Sequence, residues 1–149
     1  MLRQAAQDDA ARLREWRRDD ILELEALEGP MTPEGREEHL RAAIEQSSPA
    51  VAWEESGEVL AVGGVVPLAE SDGGVSWIVS SPAAHEHPRD FLRVVLEILD
   101  SVLMHYPALV VLAGSWLGNH HRWLERLGFR VGGSLEMNPG ITLFVRGAT

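Results

Sequence analysis

The chain has 149 residues, a formal net charge of −10, 45% hydrophobic residues and no cysteine. That length and apolar share suit a single packed domain and exclude a largely disordered chain. Without cysteine there are no disulfides, thiolate nucleophiles or cysteine–zinc sites, and the acidic balance speaks against nonspecific binding to nucleic acid, where cations must displace counterions from phosphates.

Leu2 to Ala6 reads as a short first strand, and its early interruption by Arg3, Gln4, Asp8 and Asp9 is unlike a secretory leader. Asp8 or Asp9 caps a helix expected to run to about Arg18, and Asp19–Glu28 continues at helical spacing through Ile21, Leu22, Leu24 and Leu27. Gly29-Pro30 stops it. Thr32-Pro33 is an N-cap with proline in the first turn, opening a helix to about Gln46 with Leu40, Ala43 and Ile44 as its apolar stripe. From Pro49 the pattern changes to strands. Val51–Trp53 and Val59–Val66 flank the turn Glu55-Ser56-Gly57-Glu58, and Gly63-Gly64 signals a bulge or a close backbone approach. Asp72-Gly73-Gly74 turns into a strand Val75–Val79, ended by Ser80-Ser81-Pro82.

A stretch rich in Ala, His and Pro leads to the strongest helix, Pro88–His105, with Phe91, Val95, Ile98 and Val102 in one row. Ala108–Gly114 is an unbroken apolar run, the pattern of a buried strand. A short helix follows and ends at Leu127-Gly128-Phe129, where Gly128 takes the left-handed conformation and Phe129 returns to the core. Val131–Glu136 and Ile141–Val145 form a last hairpin turned at Asn138-Pro139-Gly140. The order gives one α+β domain over residues 1–149. No apolar run approaches the ~18 residues of a membrane span, and a soluble protein is expected.

Few side chains group into a recognisable site. His85, His87, His120 and His121 sit on loops without a helical His-x-x-x-His pair, so solvated or interface histidines are expected and no metal. Of five tryptophans, Trp77 and Trp123 fall on core patterns, whereas Trp16 and Trp116 are contact candidates. Arg12, Arg14, Arg17 and Arg18 alternate with acids and read as a solvated helix face. Neither a phosphate-binding P-loop nor a Gly-x-Ser-x-Gly elbow occurs.

The passage Ala108–Gly114, Trp123-Leu-Glu-Arg-Leu-Gly-Phe129, with the order of elements before it, resembles the GNAT acetyltransferase fold: a central mixed, mostly antiparallel sheet flanked by helices in three layers. Ser76-Trp77-Ile78, His87-Pro88-Arg89-Asp90-Phe91-Leu92, His105-Tyr106-Pro107 and Arg122-Trp123-Leu124 are similar to GNAT-like internal virion proteins of tailed bacteriophages.

The resemblance implies that the diphosphate of acetyl-CoA is held between the fourth strand and the long helix by a glycine-rich loop. Here that passage is Ser80 to Asp90, without glycine, leaving Ser81, His87 and Arg89 as candidate cofactor contacts. The resemblance also implies a tyrosine acid in the last helix, at a position held by Leu124; Tyr106 reads instead as a core residue with its hydroxyl at the surface. Carboxylate bases are sought at Glu54, Glu55, Glu70 and Asp72, each of which also reads as an acid at a hairpin.

These departures imply a degenerate family member without cofactor or catalytic residues. It would act in virion assembly or as a virion component, among other virion proteins or as a homo-oligomer, in the particle or the host cytoplasm, with no direct contact to nucleic acid or membrane. The alternative is an acetyl-CoA-dependent N-acetyltransferase for a small cationic amine. A third reading is an adaptor that binds a basic partner.

Overall fold

A computed structural model describes residues 1–69, 71–114, 118–135 and 138–147. Seven strands form one sheet: β1 (Leu2–Gln4), β2 (Ala50–Glu55), β3 (Glu58–Pro67), β4 (Gly74–Ser80), β5 (Ala108–Gly114), β6 (Arg130–Leu135) and β7 (Asn138–Gly147). Their order is β1-β2-β3-β4-β5-β7-β6. Every pairing is antiparallel except that of β4 with β5. The helices are α1 (Asp9–Arg12), α2 (Arg18–Glu28), α3 (Pro33–Gln46), α4 (Pro88–Leu103) and α5 (Gly118–Arg126).

Alternation along the strands divides the core between the two faces. On one face Phe91, Val95, Leu99 and Val102 of α4 and Leu124 of α5 pack with Leu109, Phe129 and Phe144. On the other, Ala10 and Leu13 meet Leu40 and Ile44 of α3 over Ala52, Val59 and Val62. Helix α2 contributes to neither cluster and packs near β5 and β7. Among the described residues no helix is long and apolar enough to cross a membrane.

Most elements lie where the sequence places them. Thr32 caps α3 by accepting from the Gly35 N–H at 3.0 Å. Gly128 has φ +91° and Phe129 is buried behind it. Tyr106 packs against the core and donates its hydroxyl to the Ser48 carbonyl.

The differences have physical causes. The expected helix to Arg18 lasts one turn, because Leu13 leaves helical geometry to enter the core and the Arg17 N–H donates to the Ser80 carbonyl at 2.7 Å. The stretch before α4, expected to be irregular, holds a short 3₁₀ helix, Pro82–Glu86, anchored by the fully buried Ala84. The proposed turn Asn138–Gly140 is already strand β7.

Gly63-Gly64 is a close approach rather than a bulge. The register shift falls between Trp53 and Glu54 on β2, whereas a Cβ on Gly64 would stand 2.7 Å from the Pro49 carbonyl oxygen and 2.9 Å from Ser47 Cβ. A backbone carbonyl cannot swing aside as a side chain does. Gly64→Ala is therefore expected to lower the unfolding free energy by about 2 kcal/mol, the usual range for overpacking. Urea denaturation checks this; a loss within experimental error would mean that β2 and β3 separate without cost.

Candidate functional site

Strand β4 pairs with β3 over its whole length, from Gly74↔Pro67 to Ser80↔Ala61, and β5 pairs with β7 from Ala108 to Gly114. Between β4 and β5 only Gly74↔Leu109 and Val75↔Val110 are matched. Beyond them the two strands part, and Ser76 Oγ, which donates to the Val110 carbonyl at 3.3 Å, stands at the fork. A cavity of about 250 Å³ passes through this gap from the α2 and α3 side to the α4 and α5 side. Among the described residues its lining is mainly apolar, with Asp20, Glu23, His39 and Ser76 as the polar exceptions.

The gap exposes a strand edge. Ser81 N–H donates to Leu60 of β3 at 2.8 Å, whereas Ser80 turns its N–H and carbonyl the other way, to Asp20 and Arg17. Backbone groups alternate sides along a strand, so Ile78 directs its N–H and carbonyl into the gap. It lies between the stretch matched to β5 and the end capped by α2.

That cap is a buried polar cluster. Asp20 Oδ2 accepts from the Ser80 N–H at 3.0 Å and from Ser80 Oγ at 3.3 Å; Oδ1 meets Arg17 Nη2 at 3.3 Å. Ser80 Oγ is also 2.8 Å from His85 Nε2, and the His85 ring lies 4.7 Å from that of Phe91. Burial pushes the Asp20 carboxyl above the ordinary aspartate value, against the opposing pull of Arg17 and the Ser80 amide. This site escaped the sequence reading, which placed Arg17 on a solvated face. The i,i+3 spacing of Arg17 and Asp20 was the one available signal.

The sequence candidates fall elsewhere. Ser81 is buried, its N–H is taken by Leu60, and its Oγ has no partner among the described residues. His87 and Arg89 are exposed at the start of α4, so the three do not converge. The Ala84 N–H goes to Ser81, the His87 N–H to Ala84 and the Phe91 N–H to His87; Pro88 has none. Arg89 and Asp90 keep the free amides of that helical turn.

Glu54 is held by Arg3 and Arg12, and Glu55 by the N-terminal ammonium and Trp53 Nε1, so neither faces the gap. Asp72 is exposed on its turn, and Glu70 lies outside the described residues. Leu124 is buried and lines the cavity, without a proton to give. Among the described residues no three His, Asp or Glu side chains converge as a metal site.

Trp16, a contact candidate from sequence, lines the cavity under the Arg36 guanidinium, 6.0 Å from its ring centroid. Trp123 stacks on Phe91 at 5.7 Å and Trp77 donates to Ser47 Oγ at 2.8 Å, both as core residues. Trp116 lies outside the described residues.

A mixed seven-stranded sheet flanked by helices is shared with solved acetyltransferases. The structure titled AAC(6')-Ib in complex with ribostamycin and coenzyme A superposes with a TM-score of 0.74 at 16% identity, covering 99% of this chain and 92% of that one. The chain has the GNAT acetyltransferase fold. An N-acetyltransferase from Staphylococcus aureus Mu50 matches at TM-score 0.66 and 14% identity, over 100% of this chain and 98% of that chain. A GNAT-family acetyltransferase from Streptococcus pneumoniae matches at 0.61 and 16%, over 99% and 98%. No protein-family model matches the chain, and no curated protein matches it.

Proposed function

We infer that the protein is an acyl-CoA-dependent N-acyltransferase acting on a small amine, with acetyl-CoA as the acyl donor. The observation that carries this reading is the gap between β4 and β5 with the Ile78 N–H directed into it. A thioester laid along β4 would place its carbonyl oxygen against that N–H, and a donor fixed in advance stabilises the negative charge that grows on the oxygen. Acyl-CoA, when bound, supplies the activated acyl carbon and a thiol leaving group. The apolar walls, among them Leu124 and Trp123, exclude water that would otherwise compete with the amine.

The residues present suit the acyl-pantetheine part better than the diphosphate. With the Ser81, Ala84 and His87 amides already taken, the diphosphate is left to the first turn of α4 and to the His87 and Arg89 side chains. The net charge of −10 favours a cationic amine, and AAC(6')-Ib, whose structure holds coenzyme A, lends support by likeness of fold. The virion role rests on short motifs such as Ser76–Ile78 and His87–Leu92, on the glycine-free loop and on leucine at the tyrosine position, and none of the matching structures named above is a virion protein.

Titration calorimetry with acetyl-CoA is the test. A dissociation constant of about 100 μM, or about −5.5 kcal/mol, is expected from so reduced a phosphate cradle, and Arg89→Glu should weaken it further. No heat at millimolar ligand would overturn the acyltransferase reading and turn attention to protein partners.

A further inference from the structure

The exposed apolar residues and the N-terminal ion cluster add nothing beyond packing, but the buried cluster at the end of β4 joins three groups capable of moving a proton. We propose that Asp20 is the general base that takes the proton from the acceptor amine, and that Ser80 and His85 carry it out to solvent. This rests on the acyltransferase reading and names the residues that the reading leaves open.

The geometry supports it in three ways. Asp20 lines the same cavity as Ile78. Its Oδ2 is 3.0 Å from the Ser80 N–H, two residues along β4 from the Ile78 N–H. Two residues of strand span roughly 7 Å, a distance bridged by an amine nitrogen and one water. The third support is the path outward: Asp20 Oδ2 to Ser80 Oγ at 3.3 Å, then Ser80 Oγ to His85 Nε2 at 2.8 Å. His85 is half-buried and so reaches the surface. A carboxylate that only capped the Ser80 amide would need no histidine behind the serine hydroxyl.

The step balances. The ammonium form of the amine gives one proton to Asp20, the nitrogen bonds to the acyl carbon and the carbon–sulfur bond breaks. A second nitrogen-bound proton goes to the departing thiolate, leaving an amide. The Asp20 proton passes to Ser80 Oγ as the serine hydroxyl proton passes to His85, which releases one to water. No oxidant or metal enters.

Among the described residues the charged groups acting on Asp20 are Arg17 at the start of α2 and Glu23 one turn on, with His85 joined to Asp20 through Ser80 Oγ and His39 of α3 lining the same cavity. Burial raises its folded-state pKa above the unfolded value. The unprotonated form is therefore disfavoured in the folded protein, and stability falls as pH rises from about 4 through the folded value.

The test uses Asp20→Asn, Ser80→Ala and His85→Ala, with acetyl-CoA and a panel of small primary amines. Asp20→Asn is expected to lower kcat by about 100-fold or more, with the KM for acetyl-CoA within threefold of wild type. It should also remove the fall in melting temperature with rising pH, a readout that needs no substrate. Ser80→Ala and His85→Ala should each lower kcat by about tenfold, and added imidazole should restore His85→Ala.

If Asp20→Asn changes the melting temperature but leaves kcat within threefold, the carboxylate only caps β4 and the proposal is overturned. Wild-type turnover in both Ser80→Ala and His85→Ala would remove the relay. Failure of the wild type to bind acetyl-CoA would remove the acyltransferase reading itself, a result distinct from either.

Discussion

Replacing Arg3 with alanine is expected to lower the unfolding free energy by about 3 kcal/mol at pH 7, as measured by urea denaturation. Asp9 is only 1% exposed, and Arg3 meets both of its oxygens, Nη1 to Oδ2 and Nη2 to Oδ1, each at 2.8 Å. The same guanidinium reaches Glu54 Oε1 at 2.7 Å and 3.1 Å, so one side chain ties β1 to the start of α1 and to β2. Removing it leaves a buried carboxylate with the Ala6 N–H at 2.8 Å and Arg12 Nη1 at 3.5 Å. Those remaining contacts place the expected cost at the low end of the range for a broken buried pair.

The pH dependence separates this cause from a loss of packing. Hydrogen bonds from Arg3 hold the Asp9 carboxyl below its ordinary value. Its contribution in the wild type is therefore fully present above about pH 4, the unfolded value, and is lost as pH falls below that. In Arg3→Ala those hydrogen bonds are gone and the carboxyl moves back up, so the variant lacks the contribution that the wild type loses below about pH 4. The difference between the two proteins should therefore shrink as pH falls below about 4. An equal deficit at pH 7 and about pH 3 would assign the effect to packing.

The parts of this molecule legible in the sequence are those whose signal is local. Thr32-Pro33, the Phe91–Val102 row and Leu127-Gly128-Phe129 each state a cap, a face or a stop within a few residues, and the structure follows them. The apolar run Ala108–Gly114 announces a strand in the same way, and β5 forms there with Leu109 buried and Ala108 and Val110–Leu112 half-buried.

The site was less legible because its contacts are long-range. Asp20 and Ser80 are sixty residues apart and their bond depends on α2 reaching the end of β4. The helix predicted through Arg18 hid this, since propensity gives no warning that Leu13 and Arg17 are drawn off by the core and the sheet edge. Ser81, His87 and Arg89 were chosen for chemical type, and the chain turns them to different surroundings. The sequence could show that the loop lacks glycine, but not that β3 and the 3₁₀ helix already take several of its amides.

The second large effect concerns a single backbone hydrogen. Ile78→Pro is expected to lower kcat for the proposed acyl transfer by about 10²–10³-fold, the cost of losing one donor to a developing oxyanion. Proline in the middle of a sheet is ordinarily ruinous because it deletes a ladder hydrogen bond. Here the alternation that turns Ser80 away from β3 also turns Ile78 away, so the lost N–H faces the gap and the β3–β4 ladder keeps its bonds. Val79 has the opposite phase.

Val79→Pro should therefore unfold the protein, whereas Ile78→Pro should retain a cooperative thermal transition while losing turnover. Ile78→Ala, which trims the side chain but keeps the N–H, should retain kcat within about tenfold. If Ile78→Ala and Ile78→Pro lose turnover equally, the side chain matters and the backbone donor does not. If both proline variants unfold alike, the alternation drawn along β4 is wrong, and with it the donor on which the proposed acyl transfer depends.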